Sequence, residues 1–144
     1  MTENFLGQNL AGSNFAGANL ARANMRVADL SAVSLVGASL SRAAMTNADL
    51  SEAALGFANL ERTNLHEARL TGADLSDADL TGAELSYAHA ADATFFCADL
   101  EHADLRESNL VGADLRGARW DDSTEWPEGI GPLDGAVPST RNGL

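Results

Sequence analysis

Leucine recurs at every fifth position in the stretch LTGADLSDADLTGAEL, between Leu70 and Leu85. On an α-helix, a step of five residues rotates the side chain by about 500°, roughly 140° net, so the leucines would spread over every face. On a flat strand, the odd step would place successive leucines on opposite sides of the sheet. The spacing therefore predicts a chain that runs extended, bends the same way after each repeat, and coils around a leucine core.

The same pattern extends from Phe5 to Trp120 and separates inward from outward positions. Of the 24 positions that are multiples of five, 22 are Leu, Phe or Met, and 18 of the 24 positions two residues earlier are Ala. Residues two apart on an extended chain point to the same side, so both positions are predicted to be buried. The residue between them is Asn or Asp in 15 of 24 cases, and we expect its side chain to bond the backbone of a neighbouring turn.

The motifs NADLS, TGADLSDADL and EHADL resemble the pentapeptide-repeat family, whose motif is A(D/N)LXX. The resemblance implies an all-β fold, a right-handed quadrilateral parallel β-helix (a solenoid) of about six coils of four pentapeptides, with a non-repeat C-terminal tail. We expect residues 1–122 to form the pentapeptide-repeat β-helix and residues 123–144 to form a capping tail. The segment YAHAADATFF matches the motif least, so we expect the least regular coil there.

The composition is acidic and uneven. The chain has 21 acidic residues, nine arginines and no lysine, which gives a formal net charge of −12. Residues 1–70 hold six acids and five arginines, whereas residues 71–144 hold fifteen acids and four arginines. This charge disfavours direct binding to nucleic acid or to an anionic membrane. The sequence shows no apolar run long enough to span a membrane and no secretory leader, so a cytoplasmic location is expected.

The residues that could carry chemistry do not converge in this register. His66, His89 and His102 occupy different slots of the repeat, so they are not expected to share one metal ion. The single cysteine, Cys97, and His102 fall at successive corners about 10 Å apart, too far for a nucleophilic pair. A filled interior is expected to leave no ligand-sized cavity. The sequence predicts no enzyme, no catalytic residue, no metal and no cofactor.

Three outer surfaces are candidate partner-binding sites. The arginine ladder stacks along one face because its members are spaced by twenty, and it consists of Arg22, Arg42 and Arg62. The acidic set lies in the carboxy-terminal half and consists of Asp79, Glu84, Asp99, Glu101, Asp104 and Glu107. The apolar face has few charges and consists of Val36, Gly56, Phe57, Phe96 and Cys97.

These features favour a non-enzymatic scaffold or protein–protein interaction module with an unidentified protein partner. The alternative is an acidic DNA mimic that binds DNA gyrase, because the resemblance implies a fold and a sign of charge shared with pentapeptide-repeat proteins that protect gyrase from fluoroquinolones. In that case, the acidic set is the binding surface. The charge pattern also predicts a homodimer in which the arginine ladder of one copy faces the acidic set of the other, with pairing at the amino-terminal coil as the alternative.

Overall fold

The computed structural model describes residues 1–129 and the backbone of Val137–Pro138. Residues 1–129 form one continuous solenoid of stacked coils. Parallel β-bridges hold the coils together, from the pair Asn4 and Asn24 to the pair Asp99 and Arg119. Each bridge in this series joins residues 20 positions apart, so one turn of the coil takes four pentapeptides. The described residues contain no helix, and the fold is all-β.

A turn with a left-handed residue bends the chain after each extended segment. From Phe5 to Leu115, the residue two positions after each multiple of five has a positive φ, for example +66° at Gly37 and +58° at Arg42. The N–H of the residue after that donates back to the carbonyl of the residue at the multiple of five, as Ala43 does to Leu40 at 2.9 Å. This arrangement has the features of a type II turn, whose third residue is usually glycine because other residues adopt it at a cost of about 1–2 kcal/mol. Repetition of the turn places four corners on each coil.

The interior is filled by the positions that the five-residue pattern assigns to it. From Leu20 to Leu115, every residue at a multiple of five is at most 5% exposed, which confirms the register. Ala90 interrupts the leucines but is itself buried, as is Phe95 in the next pentapeptide. The three apolar residues that begin the series are only partly buried, because no described coil covers their outer side, and they are Phe5, Leu10 and Phe15.

One expectation about the repeat is confirmed and one is wrong. The outward Asn and Asp side chains bond the backbone of the adjoining turn, as when Asp29 Oδ1 accepts the N–H of Ser31, the first residue of the turn that follows, at 3.0 Å. The coil that contains YAHAADATFF is as regular as the others, since the N–H of Ala90 donates to the carbonyl of Asn109 at 2.9 Å. Backbone hydrogen bonding, which every residue except proline can supply, maintains the coil where the side-chain motif is weak.

The repeat register changes near its carboxyl end. Asp104 pairs with Glu125, 21 residues later, so this coil contains one residue more than those before it. Trp126 packs against the core, and its ring centroid lies 6.4 Å from that of Trp120. The two indoles therefore cover part of the apolar end of the coil.

The described residues include two short strands. Strand β1, Arg119–Trp120, pairs in parallel with strand β2, Val137–Pro138. Among the described residues, no helix has the length and apolar character needed to cross a membrane. The division at residue 122 stays a prediction, and residues 130–136 and 139–144 of the predicted capping tail lie outside the described residues.

Candidate interaction surfaces

A surface cavity lies near the carboxyl end of the coil. It has a volume of about 410 Å³ and is lined by Ser86, Tyr87, Arg106, Glu107, Trp126 and Glu128. A second cavity of about 280 Å³ shares Tyr87 and Glu107 with the first and extends to His89. Small-molecule sites occupy roughly 300–1,000 Å³, so the first of these outer grooves is of ligand size, whereas the expectation of no ligand-sized cavity concerned the interior.

The apolar face presents large side chains to solvent. Phe57 is 69% exposed, Phe96 is 43% exposed and Val36 is 42% exposed. Cys97 is exposed as well. Gly56, however, is buried, so its placement on this surface is wrong. The exposed members of the apolar face are therefore two aromatic residues, one valine and one cysteine.

The arginine ladder is exposed along its whole length, with Arg22, Arg42 and Arg62 at the same slot of successive coils. Arg62 Nε lies 3.7 Å from Glu61 Oε1. A Cβ at Gly82 would stand 3.3 Å from Arg62 Cγ, so the Arg62 stem lies along the next coil. Exposed ion pairs are weak, and the ladder remains a basic surface that faces solvent.

Within the acidic set, one arginine neutralises two members. Arg119 Nη1 lies 3.2 Å from Asp99 Oδ2, and Arg119 Nη2 lies 2.5 Å from Glu101 Oε1. Glu101 is only 6% exposed, although its slot in the repeat predicts an outward position. Its placement on an accessible acidic surface is therefore wrong, because Arg119 of the next coil covers it.

Asp104 is also neutralised. Arg106 donates to both its oxygens, from Nε to Oδ1 at 2.9 Å and from Nη2 to Oδ2 at 2.7 Å, and these side-chain bonds lower the pKa of Asp104. In the described part of the chain, Asp79, Glu84 and Glu107 have no ion-pair partner. Half of the acidic set thus carries charge that is not offset by a neighbouring arginine.

A histidine and a serine join two coils beside the 410 Å³ cavity. His66 Nδ1 lies 2.8 Å from Ser86 Oγ, and the imidazole meets the Tyr87 ring edge-on with centroids 5.7 Å apart. As a pair of histidine and nucleophile, the sequence analysis considered Cys97 with His102, although a comparison of every twentieth residue pairs His66 with Ser86. The contact shows that polar columns, as well as the leucine core, hold neighbouring coils together.

Sequence reasoning also missed a cluster at the register change. Ligand atoms of Glu101, His102 and Asp121 all lie within 4.8 Å of one another. The sequence analysis compared the positions of the three histidines with one another, whereas this cluster combines one histidine with two carboxylates. The available signal is the acidic pair in WDDST, at the point where the repeat ends.

Comparison with known proteins points to one repeat family. A family model described as pentapeptide repeats, with eight copies, matches residues 9–47, 28–56, 48–86, 58–95 and 83–119. No curated protein matches the chain.

Solved structures show the same fold. HetL, a pentapeptide repeat protein involved in heterocyst differentiation regulation from the cyanobacterium Nostoc sp. strain PCC 7120, is 33% identical with a TM-score of 0.59. That match covers 82% of this chain and 60% of HetL, so the chain spans less than two thirds of HetL. A pentapeptide repeat protein of the Arabidopsis thaliana thylakoid lumen is 30% identical with a TM-score of 0.55, and the match covers 82% of this chain and 68% of the other.

A more distant match is a trypsin-treated variant of QnrB1, a plasmid-mediated fluoroquinolone resistance protein. It is 18% identical with a TM-score of 0.52, and the match covers 98% of this chain and 88% of the other. At this identity, the likeness concerns the fold alone.

Proposed function

This chain belongs to the pentapeptide-repeat family, whose members fold as right-handed β-helices, and we propose that it is a non-enzymatic interaction module that binds another protein. In a solenoid each repeat contacts only its neighbours, so outer side chains can differ without loss of the fold. The proposed docking surface is the apolar face, which offers aromatic side chains on a backbone that hydrogen-bonds from coil to coil.

The observation that carries the proposal is the conformation of Phe57. Its φ is +60°, and its side chain is 69% exposed. Other coils have glycine in the same slot, at Gly17, Gly37 and Gly117. A left-handed phenylalanine costs about 1–2 kcal/mol, and an exposed ring recovers little of this cost by burial within its own chain. An exposed ring in this left-handed conformation suits insertion into a pocket of a partner, because aromatic residues at the centre of an interface often dominate the binding energy.

Phe96 and Arg116 provide a second anchor on the same side of the coil. The guanidinium carbon of Arg116 lies 5.9 Å from the Phe96 ring centroid, within the range of a cation–π contact. Arg116 is also held by two hydrogen bonds to Asp114, at 2.9 and 2.7 Å. Aromatic residues and arginine are enriched among the residues that dominate binding energy, which supports this surface over the arginine ladder.

The variant Phe57→Gly tests the proposal, with Val27→Gly as its matched control. Val27 has a φ of 57° and is 62% exposed, but it lies one and a half coils away, on the opposite side. Both variants should fold at least as stably as the wild type, because glycine adopts a positive φ without strain. Only Phe57→Gly should lose binding to the partner.

The measurement is affinity capture from the native host, with bound proteins quantified by mass spectrometry, followed by direct titration of the purified partner. Binding that is lost in Phe57→Gly and kept in Val27→Gly supports the apolar face. Equal binding by the wild type and both variants contradicts it.

A competing proposal is that the chain imitates DNA and binds DNA gyrase. The excess of fifteen acids over four arginines in residues 71–144 supports it, since duplex DNA carries about one charge per 1.7 Å. The ion pairs of Arg119 and Arg106 weaken it, because they neutralise half of the acidic set. The test is a gyrase supercoiling assay with the wild type and with a Glu84→Arg, Glu107→Arg double variant. Inhibition of gyrase by the wild type alone supports mimicry. No inhibition by either protein contradicts mimicry.

A further inference from the structure

Three metal-ligating side chains lie at one point on the coil surface, beside the register change after residue 120. Each of Glu101, His102 and Asp121 places a ligand atom within 4.8 Å of the other two. Glu101 and Asp121 are 6% and 8% exposed, and His102 is exposed at the outer edge. Asp121 lies between the last pair spaced by 20 residues, Asp99 with Arg119, and the pair spaced by 21, Asp104 with Glu125.

Hydrogen bonds to one oxygen of Asp121 hold this side chain so that its other oxygen points at His102. Its Oδ1 accepts the N–H groups of His102 and Ser123, at 3.1 and 3.0 Å, and the hydroxyl of Thr124 at 3.2 Å. The other oxygen, Oδ2, faces His102 Nδ1 at 3.0 Å. Outer hydrogen bonds of this kind commonly orient metal ligands in proteins.

The charges around the cluster favour a divalent cation. Asp99, Glu101 and Asp121 are acidic and Arg119 is basic, so the group carries a net negative charge when His102 is neutral. Arg119 also pairs with Glu101, so an ion must compete with this partly buried pair for the Glu101 carboxylate. Arg119 can keep its contact with Asp99 while Glu101 turns toward an ion.

We propose that Glu101, His102 and Asp121 form a binding site for one divalent transition-metal ion of the Zn²⁺ class. The 3.0 Å between His102 Nδ1 and Asp121 Oδ2 suits two adjacent ligands of an ion with bonds of about 2.1 Å. The ion replaces the proton between these two atoms, which passes to solvent, and Glu101 supplies the third ligand. The imidazole nitrogen favours zinc over calcium or magnesium, which prefer oxygen ligands alone. The bound ion joins the last coil to the coil before it.

Titration of the metal-free, untagged protein with Zn²⁺ tests the proposal. Every protein in the series carries Cys97→Ser, because the exposed thiol can itself bind zinc. Affinity is measured by competition with a chromophoric chelator, and we expect one zinc ion per chain. His102→Ala should weaken zinc binding by about tenfold or more. His89→Ala is the matched control, since this histidine is exposed elsewhere on the coil, and its affinity should not change.

Two further measurements separate a metal site from a structural contact. Zinc should raise the melting temperature of the parent protein, as any ligand of the folded state does, and should not raise that of His102→Ala. Glu101→Gln should weaken zinc binding while the metal-free protein remains folded, as circular dichroism can show. Equal zinc affinity for His102→Ala and His89→Ala, or no zinc binding by the parent at millimolar concentration, would overturn the proposal.

Discussion

Leu55 and Phe57 belong to the same repeat unit but lie on opposite sides of the coil wall, so truncation of each to alanine tests the register. Leu55 is 0% exposed and Phe57 is 69% exposed. Leu55→Ala removes buried aliphatic groups worth about 0.8 kcal/mol each, and the cavity left between packed coils raises the expected loss of unfolding free energy to about 3–5 kcal/mol. Phe57→Ala keeps the backbone conformation and removes an exposed ring, so its effect should stay within about 0.5 kcal/mol.

Urea unfolding measures both effects. Far-ultraviolet circular dichroism reports the whole coil, while the fluorescence of Trp120 and Trp126 reports its carboxyl end. A domain of this size is stable by about 5–15 kcal/mol, so the expected loss for Leu55→Ala is a large shift of the midpoint. Coincident transitions by the two probes would show that the coils unfold together. A loss below about 1 kcal/mol for Leu55→Ala, or an equal loss for Phe57→Ala, would refute the assigned register.

Three other predictions concern charge, turns and assembly. Asp114 should titrate by NMR with a pKa of about 2, because Arg116 donates side-chain hydrogen bonds to it, and Arg116→Gln should return that pKa toward 3.8. Since the folded pKa is the lower one, the stability linked to Asp114 is present above its unfolded pKa and lost as the pH falls through the folded value. Gly112→Ala should lower the melting temperature more than Gly37→Ala, because both have a positive φ but only the new Cβ at position 112 meets Asp92 Oδ1. A homodimer held by the arginine ladder and the acidic set should dissociate in light scattering near ~1 M salt, whereas a salt-insensitive dimer contradicts that interface.

The interior of this coil is predictable from the sequence because its determinants are local. Within one pentapeptide, Ala38 and Leu40 lie two positions apart on an extended segment, and both are 0% exposed. The turn that follows needs only a residue able to take a positive φ, which Arg42 does. The exposure of Phe57 and Phe96 also follows from the slots they occupy. The number of residues per coil does not follow from the period, and it came from the family resemblance.

The outer surface is less predictable, because its side chains meet residues of other coils. Glu101 occupies an outward slot, yet Arg119, 18 residues later, covers it. His66 contacts Ser86 of the next coil at 2.8 Å, a pair that neither pentapeptide indicates alone. A long polar side chain can pair with any of several neighbouring residues, so its partner depends on how the coils stack and on the local backbone.

By itself, the sequence determined the five-residue period, the inward and outward positions and the sites of the turns, because each depends on residues two or three apart. Only the tertiary structure decided which outer groups meet, and the clearest case is Asp121. One extra residue in the last coil changes the pairing distance from 20 to 21, and in this stretch Asp121 accepts the His102 N–H through its side-chain Oδ1, where regular coils use a backbone carbonyl. A periodic pattern contains no information about such an insertion once the period ends, since the new pairing is set by backbone bonds between coils.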